Sequence, residues 1–276
     1  MLGRIYTPNP ISNHWLNDGL GFWLMGIPGL DGGDKLYDLT QHAPGVLTPS
    51  SGVMWGTGSS QCIDAATGLT FPDVNNIADQ NNYVPFNING QYTDTANFSF
   101  EIFTYLPASS GTGQVFVTMN STPSSGMQFR IGNTNQISIA NGSNGVPVIS
   151  YTYTPNTWYH FVGVINKNSN NTYFYVNGTL AGSTGGTTPS VPPAKFWLLR
   201  NPYPGYPEPA PQGTRIAYAK VWNGPLTDAA ARALYQEFQD GFPNTLNREL
   251  PRSSVLFLGG SVAPVDNYFY IFPHNF

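Results

Sequence analysis

The chain reads as an all-β protein: an antiparallel sandwich carrying one short helix towards its end. Three observations predict this. Apolar and aromatic residues alternate in short runs about 8–15 residues apart, with turn formers between them. Glycine (30) and proline (24) are abundant while charged residues make up only 9%, a balance that favours ordered turns over helical surfaces. Residues 156–180, NTWYHFVGVINKNSNNTYFYVNGTL, hold two alternating runs, Trp158–Ile165 and Thr172–Val176, split by a polar stretch and followed by Asn177-Gly178. Aromatic and β-branched alternation broken by Asn and Gly is the pattern of strands joined by tight turns.

Residues 1–17 carry the turn formers Pro8, Pro10 and Asn13 and two apolar groups, Ile5 and Trp15, that look exposed; they read as an extended arm. A single domain over residues 18–241 follows, without internal repeat or linker. Gly19–Met25 is its first strand, IPGLDGGDK turns the chain, and Leu36–Leu39 begins a new element. Further runs are Phe98–Leu106, Val115–Met119, Met127–Ile131, Gln136–Ala140 and Val148–Thr152, then the hairpin, then Lys195–Leu199 and Arg215–Trp222. Between the last two, YPGYPEPAPQ (Tyr203–Gln212) has four prolines and reads as a rigid surface loop. Thr227-Asp228 caps a helix whose apolar side is Leu234, Tyr235 and Phe238 and which stops at Gly241 and Pro243. Residues 242–276 form a second arm with strand-like runs at Ser254–Leu258 and Tyr268–Phe272.

Composition also narrows the function classes. The formal net charge of -4 and eleven scattered basic residues supply no phosphate-tracking surface, so no nucleic-acid partner is expected. No stretch approaches the roughly 20 apolar residues of a membrane span, so no membrane partner is expected either. The single cysteine, Cys62, forms no disulfide framework and reads as a small half-buried residue. The amino terminus has no long apolar run, which sets the expectation of synthesis in a cytoplasm without signal-peptide export.

The hairpin at residues 156–180 resembles that of the laminin-G-like, concanavalin A-like jelly-roll family. Other stretches resemble it in the same order: GLGFWLMG with YDLTQHAPGVLT, GLTFPDVNNIADQNNYVPF, NFSFEIFTYLP, FWLLRNPY and TRIAYAKVWNGPLTDAAARALYQE. The resemblance covers roughly residues 18–240. It implies a fold that mostly binds and packs, with catalysis confined to some branches. Ala217-Tyr218 stands where the family usually has acidic residues, so a carboxylate cluster is lost there. The TPNP-bearing arm and the LNR stretch after the helix resemble versions encoded by tailed bacterial viruses and prophages. That resemblance implies a particle-associated accessory or decoration protein.

Candidate chemistry is sparse. Glycoside hydrolysis needs two carboxylates about 5–10 Å apart. The four glutamates, Glu101, Glu208, Glu237 and Glu249, never lie within four residues of another acid along a strand, and only Glu101 is in a strand-like run. The four histidines are dispersed, and His160, in phase with Trp158 and Val162, reads as a packed strand residue. No cofactor is required; calcium is the one for which oxygen ligands are at hand, on Asp31, Asp34 and Asp38 in a Gly-rich loop and on Asp73 with Asp79 in another. Solvated turn aspartates are the simpler reading of both sets. Carbohydrate binding would use aromatic platforms with amide partners. The loop tyrosines Tyr203 and Tyr206 suit this better than the strand pairs Tyr173/Tyr175 and Tyr151/Tyr153, which read as sheet packing.

The terminal stretch DNYFYIFPHNF sets Tyr268, Phe269, Tyr270, Phe272 and Phe276 within nine residues. Such a strand is buried on both sides, against its own sandwich or against another subunit. The expectation is therefore a non-enzymatic virion accessory protein. Ile5, Trp15 and the tail aromatics would contact other particle subunits or a second copy of the chain. The alternative is a carbohydrate-binding or adhesion module, with or without calcium.

Overall fold

The computed structural model describes residues 9–10, 14–25, 39–40, 84–87, 97–108, 112–119, 127–141, 146–185, 195–198, 210–211, 214–240 and 246–247. Within them the fold is the predicted antiparallel sandwich with one short helix. The strands in chain order are β1 (Asn9–Pro10), β2 (Leu20–Met25), β3 (Val84–Asn87), β4 (Phe98–Leu106), β5 (Gly113–Met119), β6 (Met127–Gly132) and β7 (Gln136–Asn141). They continue with β8 (Val146–Thr152), β9 (Thr157–Asn166), β10 (Asn171–Val176), β11 (Thr179–Gly185), β12 (Lys195–Leu198), β13 (Arg215–Trp222) and β14 (Leu246–Asn247). Helix α1 spans Asp228–Gln239, and a 3-10 turn spans Trp15–Asn17.

Two six-stranded sheets face each other, in the orders β11-β10-β9-β4-β13-β2 and β3-β12-β5-β6-β7-β8. Every pairing within them is antiparallel. β1 and β14 pair separately, so backbone of the two predicted arms meets, Asn9 opposite Asn247. The central hairpin matches its sequence pattern and continues: Asn177 and Gly178 both have positive φ, 47° and 73°, and return the chain into β11. Two successive left-handed residues are what a tight hairpin turn needs, and Asn-Gly is the pair that tolerates it best.

The core between the sheets is built from the alternate positions of each strand. Phe129 of β6 meets Phe100, Phe161 and Phe174 of the opposite sheet with ring centroids 5.4, 5.1 and 5.6 Å away. Gly163 sits opposite Phe100 in the β4–β9 register, and a Cβ there would lie 2.0 Å from the Phe100 ring. A second apolar layer lies on the other face of the β4-containing sheet. There Trp23, Phe103, Val162, Val164, Tyr218 and Trp222 are buried with Leu234 and Phe238 of α1. Leu16 and Asn17, at the end of the predicted amino-terminal arm, are buried, and the Leu16 carbonyl accepts from Trp222 Nε1 at 2.8 Å. The described fold is thus three layers deep: helix, sheet, sheet.

Candidate functional site

The side chains with chemistry gather on the helix-covered face. Glu101 (β4), His160 (β9), Tyr218 and Lys220 (β13) point the same way because strand residues two apart share a face. Glu101 stands opposite Lys220 in register, and Phe103 stands opposite both His160 and Tyr218. The Glu101 carboxylate is engaged through both oxygens. Oε1 accepts from Tyr218 OH at 2.7 Å and from His160 Nε2 at 2.8 Å, and Oε2 lies 3.0 Å from Lys220 Nζ. Both members of the Glu101–Lys220 pair have 0% exposure. Lys220 Nζ also sits 4.0 Å from the centroid of the Trp23 ring.

Burial alone would raise the Glu101 carboxyl, but the Lys220 charge and the His160 and Tyr218 hydrogen bonds hold it below its ordinary value. Burial and the neighbouring carboxylate push the Tyr218 phenol well up, so it stays a neutral donor. The His160 ring is stacked on Phe238 at 5.3 Å, and its buried Nδ1 finds no hydrogen-bond partner among the described residues. Glu237 of α1 is buried as well and acts electrostatically on Lys220. This is a closed knot of charge beneath a helix. A hydrolytic acid pair needs both carboxyls to reach a sugar in an open cleft.

The aromatic row over this knot does not end under the helix. Phe238 meets Phe103 at 4.3 Å, Phe103 stacks on Trp158 at 4.7 Å and 25°, and Tyr105 meets Trp158 edge-on at 5.6 Å. Phe103 and Phe238 are buried, whereas Trp158 and Tyr105 are only half-buried. The row therefore emerges into water at one end of the sandwich. Tyr105 OH there donates to Oδ1 of exposed Asn156 at 3.3 Å, and Asn156 N–H donates to the Leu106 carbonyl at 2.7 Å.

Among the residues singled out from the sequence, Trp15 is described and is 56% exposed. Ile5, the loop tyrosines Tyr203 and Tyr206, and the aspartates Asp31, Asp34, Asp38, Asp73 and Asp79 lie outside the described residues. So do Cys62 and the tail aromatics Tyr268, Phe269, Tyr270, Phe272 and Phe276. Among the described residues no three His, Cys, Asp or Glu side chains come together as a metal-holding group, and no helix is long and apolar enough to cross a membrane. Tyr153 and Tyr175 are buried, as sheet packing requires. The Tyr175 phenol, pushed up to about 12 by burial and by its hydrogen bond to Asp228, ties β10 to the start of α1. The Trp158–Tyr105–Asn156 group was not picked out in the sequence, where Trp158 reads as one more residue of an alternating strand.

A helix packed on one face of two six-stranded antiparallel sheets defines a lectin-type β-sandwich. The family described as the concanavalin A-like lectin/glucanases superfamily matches residues 78–231, more than half of the 276. The chain belongs to that superfamily. No curated protein matches the sequence. Similar solved structures include the receptor binding domain of botulinum neurotoxin D, with TM-score 0.59 and 13% identity over 81% of this chain and 54% of that one. The botulinum neurotoxin serotype D ligand binding domain in complex with N-acetylneuraminic acid has TM-score 0.58 and 12% identity, covering 81% and 52%. A Trypanosoma rangeli sialidase in complex with 2,3-difluorosialic acid has TM-score 0.58 and 15% identity, covering 82% and 33%. This chain spans about half the length of the toxin domains. At these identities the likeness is one of fold.

Proposed function

We propose that the chain is a carbohydrate-binding module without catalytic activity. The observation that carries this reading is a division of labour on one sheet face. Its strand carboxylate, Glu101, is sealed under α1 with both oxygens engaged, while the aromatic row beside it runs out to solvent next to an amide. Rings and amides on a preformed rim suit recognition of a sugar, whereas a buried, fully partnered carboxylate suits neither proton transfer to a leaving group nor attack on one. The shared fold with a toxin domain in complex with N-acetylneuraminic acid supports the same class of ligand. The test is a glycan array probed with the full chain, paired with an assay for released reducing ends. Saturable binding without release is expected; release of sugar from any bound glycan would overturn the non-catalytic half.

A second reading places the protein on a bacterial virus particle as an accessory subunit. Trp15 favours it: a large apolar side chain at the end of the amino-terminal arm, 56% exposed, is the kind of group a partner subunit buries. Sedimentation of the chain alone and with particles tests it. A chain that stays monomeric and particle-free, or a Trp15→Ser variant that associates as well as the parent, removes this reading.

A further inference from the structure

We infer that β11 is an interaction edge, and that its partner is the β11 strand of a second copy of this chain. Antiparallel pairing of the two would join two six-stranded sheets into one. The inference rests on neither reading above. Three properties of the strand carry it.

The edge is open. The outer strands of the two sheets are β2, β11, β3 and β8. β2 is covered, since Leu39 N–H donates to the Trp23 carbonyl at 2.8 Å and Thr40 Oγ1 to the Gly21 carbonyl at 3.3 Å. β3 and β8 each contain a proline, Pro85 and Pro147, which cannot donate to an added strand. β11, TLAGSTG, has no proline and no charged residue. Thr179, Leu180, Ala181, Ser183 and Gly185 are exposed, and among the described residues the strand forms a ladder with β10 alone. A row of N–H and C=O groups left open in this way is what another strand binds.

The side chains suit a copy of the same strand. A bulge at Ala181, between the Tyr175–Leu180 and Phe174–Gly182 pairs, leaves Gly182–Gly185 in regular register. Gly182, Ser183, Thr184 and Gly185 are small and uncharged, so two copies approach without clash or repulsion. An extended peptide of another protein is selected by pockets for its alternate side chains; a row this small selects backbone and little else. Arg232, whose Nη1 lies 3.4 Å from the Gly178 carbonyl in the turn before β11, is already paired with Asp228 at 2.9 Å.

Symmetry sets the arrangement. A two-fold axis along the sheet normal pairs a strand antiparallel with itself, closes the assembly at two copies and keeps both helix-covered faces on one side. Opposed residues point to the same face. Pairing centred on the regular stretch therefore puts Ser183 opposite its own copy and Gly182 opposite Thr184. The contact is wider than the two backbones. β8 lies alongside, with Ile149 Cγ2 2.9 Å from where a Cβ on Gly182 would stand, and its Ser150 and Thr152 are exposed. Leu180, 38% exposed, adds an apolar side chain at the same edge.

The experiment is sedimentation velocity of the full chain over about 1–100 μM. It compares the parent, Ser183→Lys, Ser183→Glu and an equal mixture of the two variants, with amide exchange of the parent's β11 followed at both ends of that range. Ser183 is exposed, so either charge leaves the fold in place. Expected are a parent dimer and association about tenfold weaker in each variant alone, because like charges meet across the axis. Association should recover in the mixture, and β11 amides should exchange more slowly in the dimer. A parent that is monomeric throughout would overturn the inference. So would a dimer that both variants form as well as the parent, since its contact then lies elsewhere. Association lost in each variant and not recovered on mixing would overturn the second copy as occupant and leave the edge to a strand of another protein. Unchanged β11 exchange in a dimer would overturn strand pairing, whatever the variants do.

Discussion

Glu101 carries more consequence than any other single side chain here, because its charge is buried and every oxygen contact is specific. Replacing it by Gln removes the carboxylate charge 3.0 Å from the Lys220 ammonium, which is 0% exposed. Breaking such a pair from one side costs about 3–5 kcal/mol, whereas exchanging both members for apolar residues of similar volume is often neutral or stabilising. Urea unfolding should therefore show Glu101→Gln destabilised by about that amount, and Glu101→Leu with Lys220→Met recovering most of it. If the double variant is as unstable as Glu101→Gln, the knot is held by more than charge pairing. Gly163 makes the opposite kind of demand. A methyl at 2.0 Å from the Phe100 ring forces the β4–β9 pair apart or the ring off its rotamer, so Gly163→Ala should cost about 3 kcal/mol, read from the same unfolding curves. Neither feature was legible in the sequence. Glu101 finds His160 and Tyr218 59 and 117 positions away, and only strand register brings them together. The absence of a second acid near Glu101 along its own strand was legible, and it pointed away from hydrolysis before the geometry did.

At the scale of elements, α1 shows which signals the sequence exposes. Thr227 was readable as its cap, and the structure has Thr227 Oγ1 accepting from Ala230 N–H at 3.1 Å, with Leu234 and Phe238 on the buried side. The signal was local, and local signals survive translation into a fold. What positions the helix was not local. Ser99 Oγ, buried in β4, donates to the Gly224 carbonyl at 3.0 Å and accepts from Leu226 N–H at 2.9 Å, fixing the connection that leads into α1. Thr227→Ala should lower stability by about 1 kcal/mol, as lost caps do. Ser99→Ala should cost about 1–3 kcal/mol, because it leaves a part-buried carbonyl and N–H without that hydroxyl. Amide exchange distinguishes the two: the cap variant should loosen the first turn of α1, and the Ser99 variant the whole connection. β11 illustrates the opposite case. Its sequence, TLAGSTG, lacks apolar alternation because it is an edge strand exposed along most of its length, and so it gave no strand signal. Only the Asn177-Gly178 turn before it told that the chain reverses.

At the scale of the molecule, the sandwich was legible because it is written many times over, in runs that alternate and in turns rich in Asn and Gly. The aromatic rim was not, since exposure at one end of a strand is set by where a helix from another part of the chain stops. The same layering makes acid response a property of the whole fold. The folded chain holds the Glu101 carboxyl below its ordinary value of 4.5, through Lys220, His160 and Tyr218 acting against burial. Between that depressed value and 4.5 the unfolded chain holds the extra proton. The stability this contributes is complete above the ordinary value and is lost as pH falls through the folded one. Over the same range the remaining carboxylates neutralise and leave eleven Lys and Arg unopposed, so repulsion adds to the loss. Urea unfolding followed from pH 7 to pH 3 should show stability nearly level above about pH 5 and falling below it. The Glu101→Leu/Lys220→Met variant should fall less steeply, because it keeps the general repulsion but has no buried carboxylate left to protonate. Equal slopes for the two proteins would mean that Glu101 is not held ionised by the knot, and that acid acts on this sandwich through its surface alone.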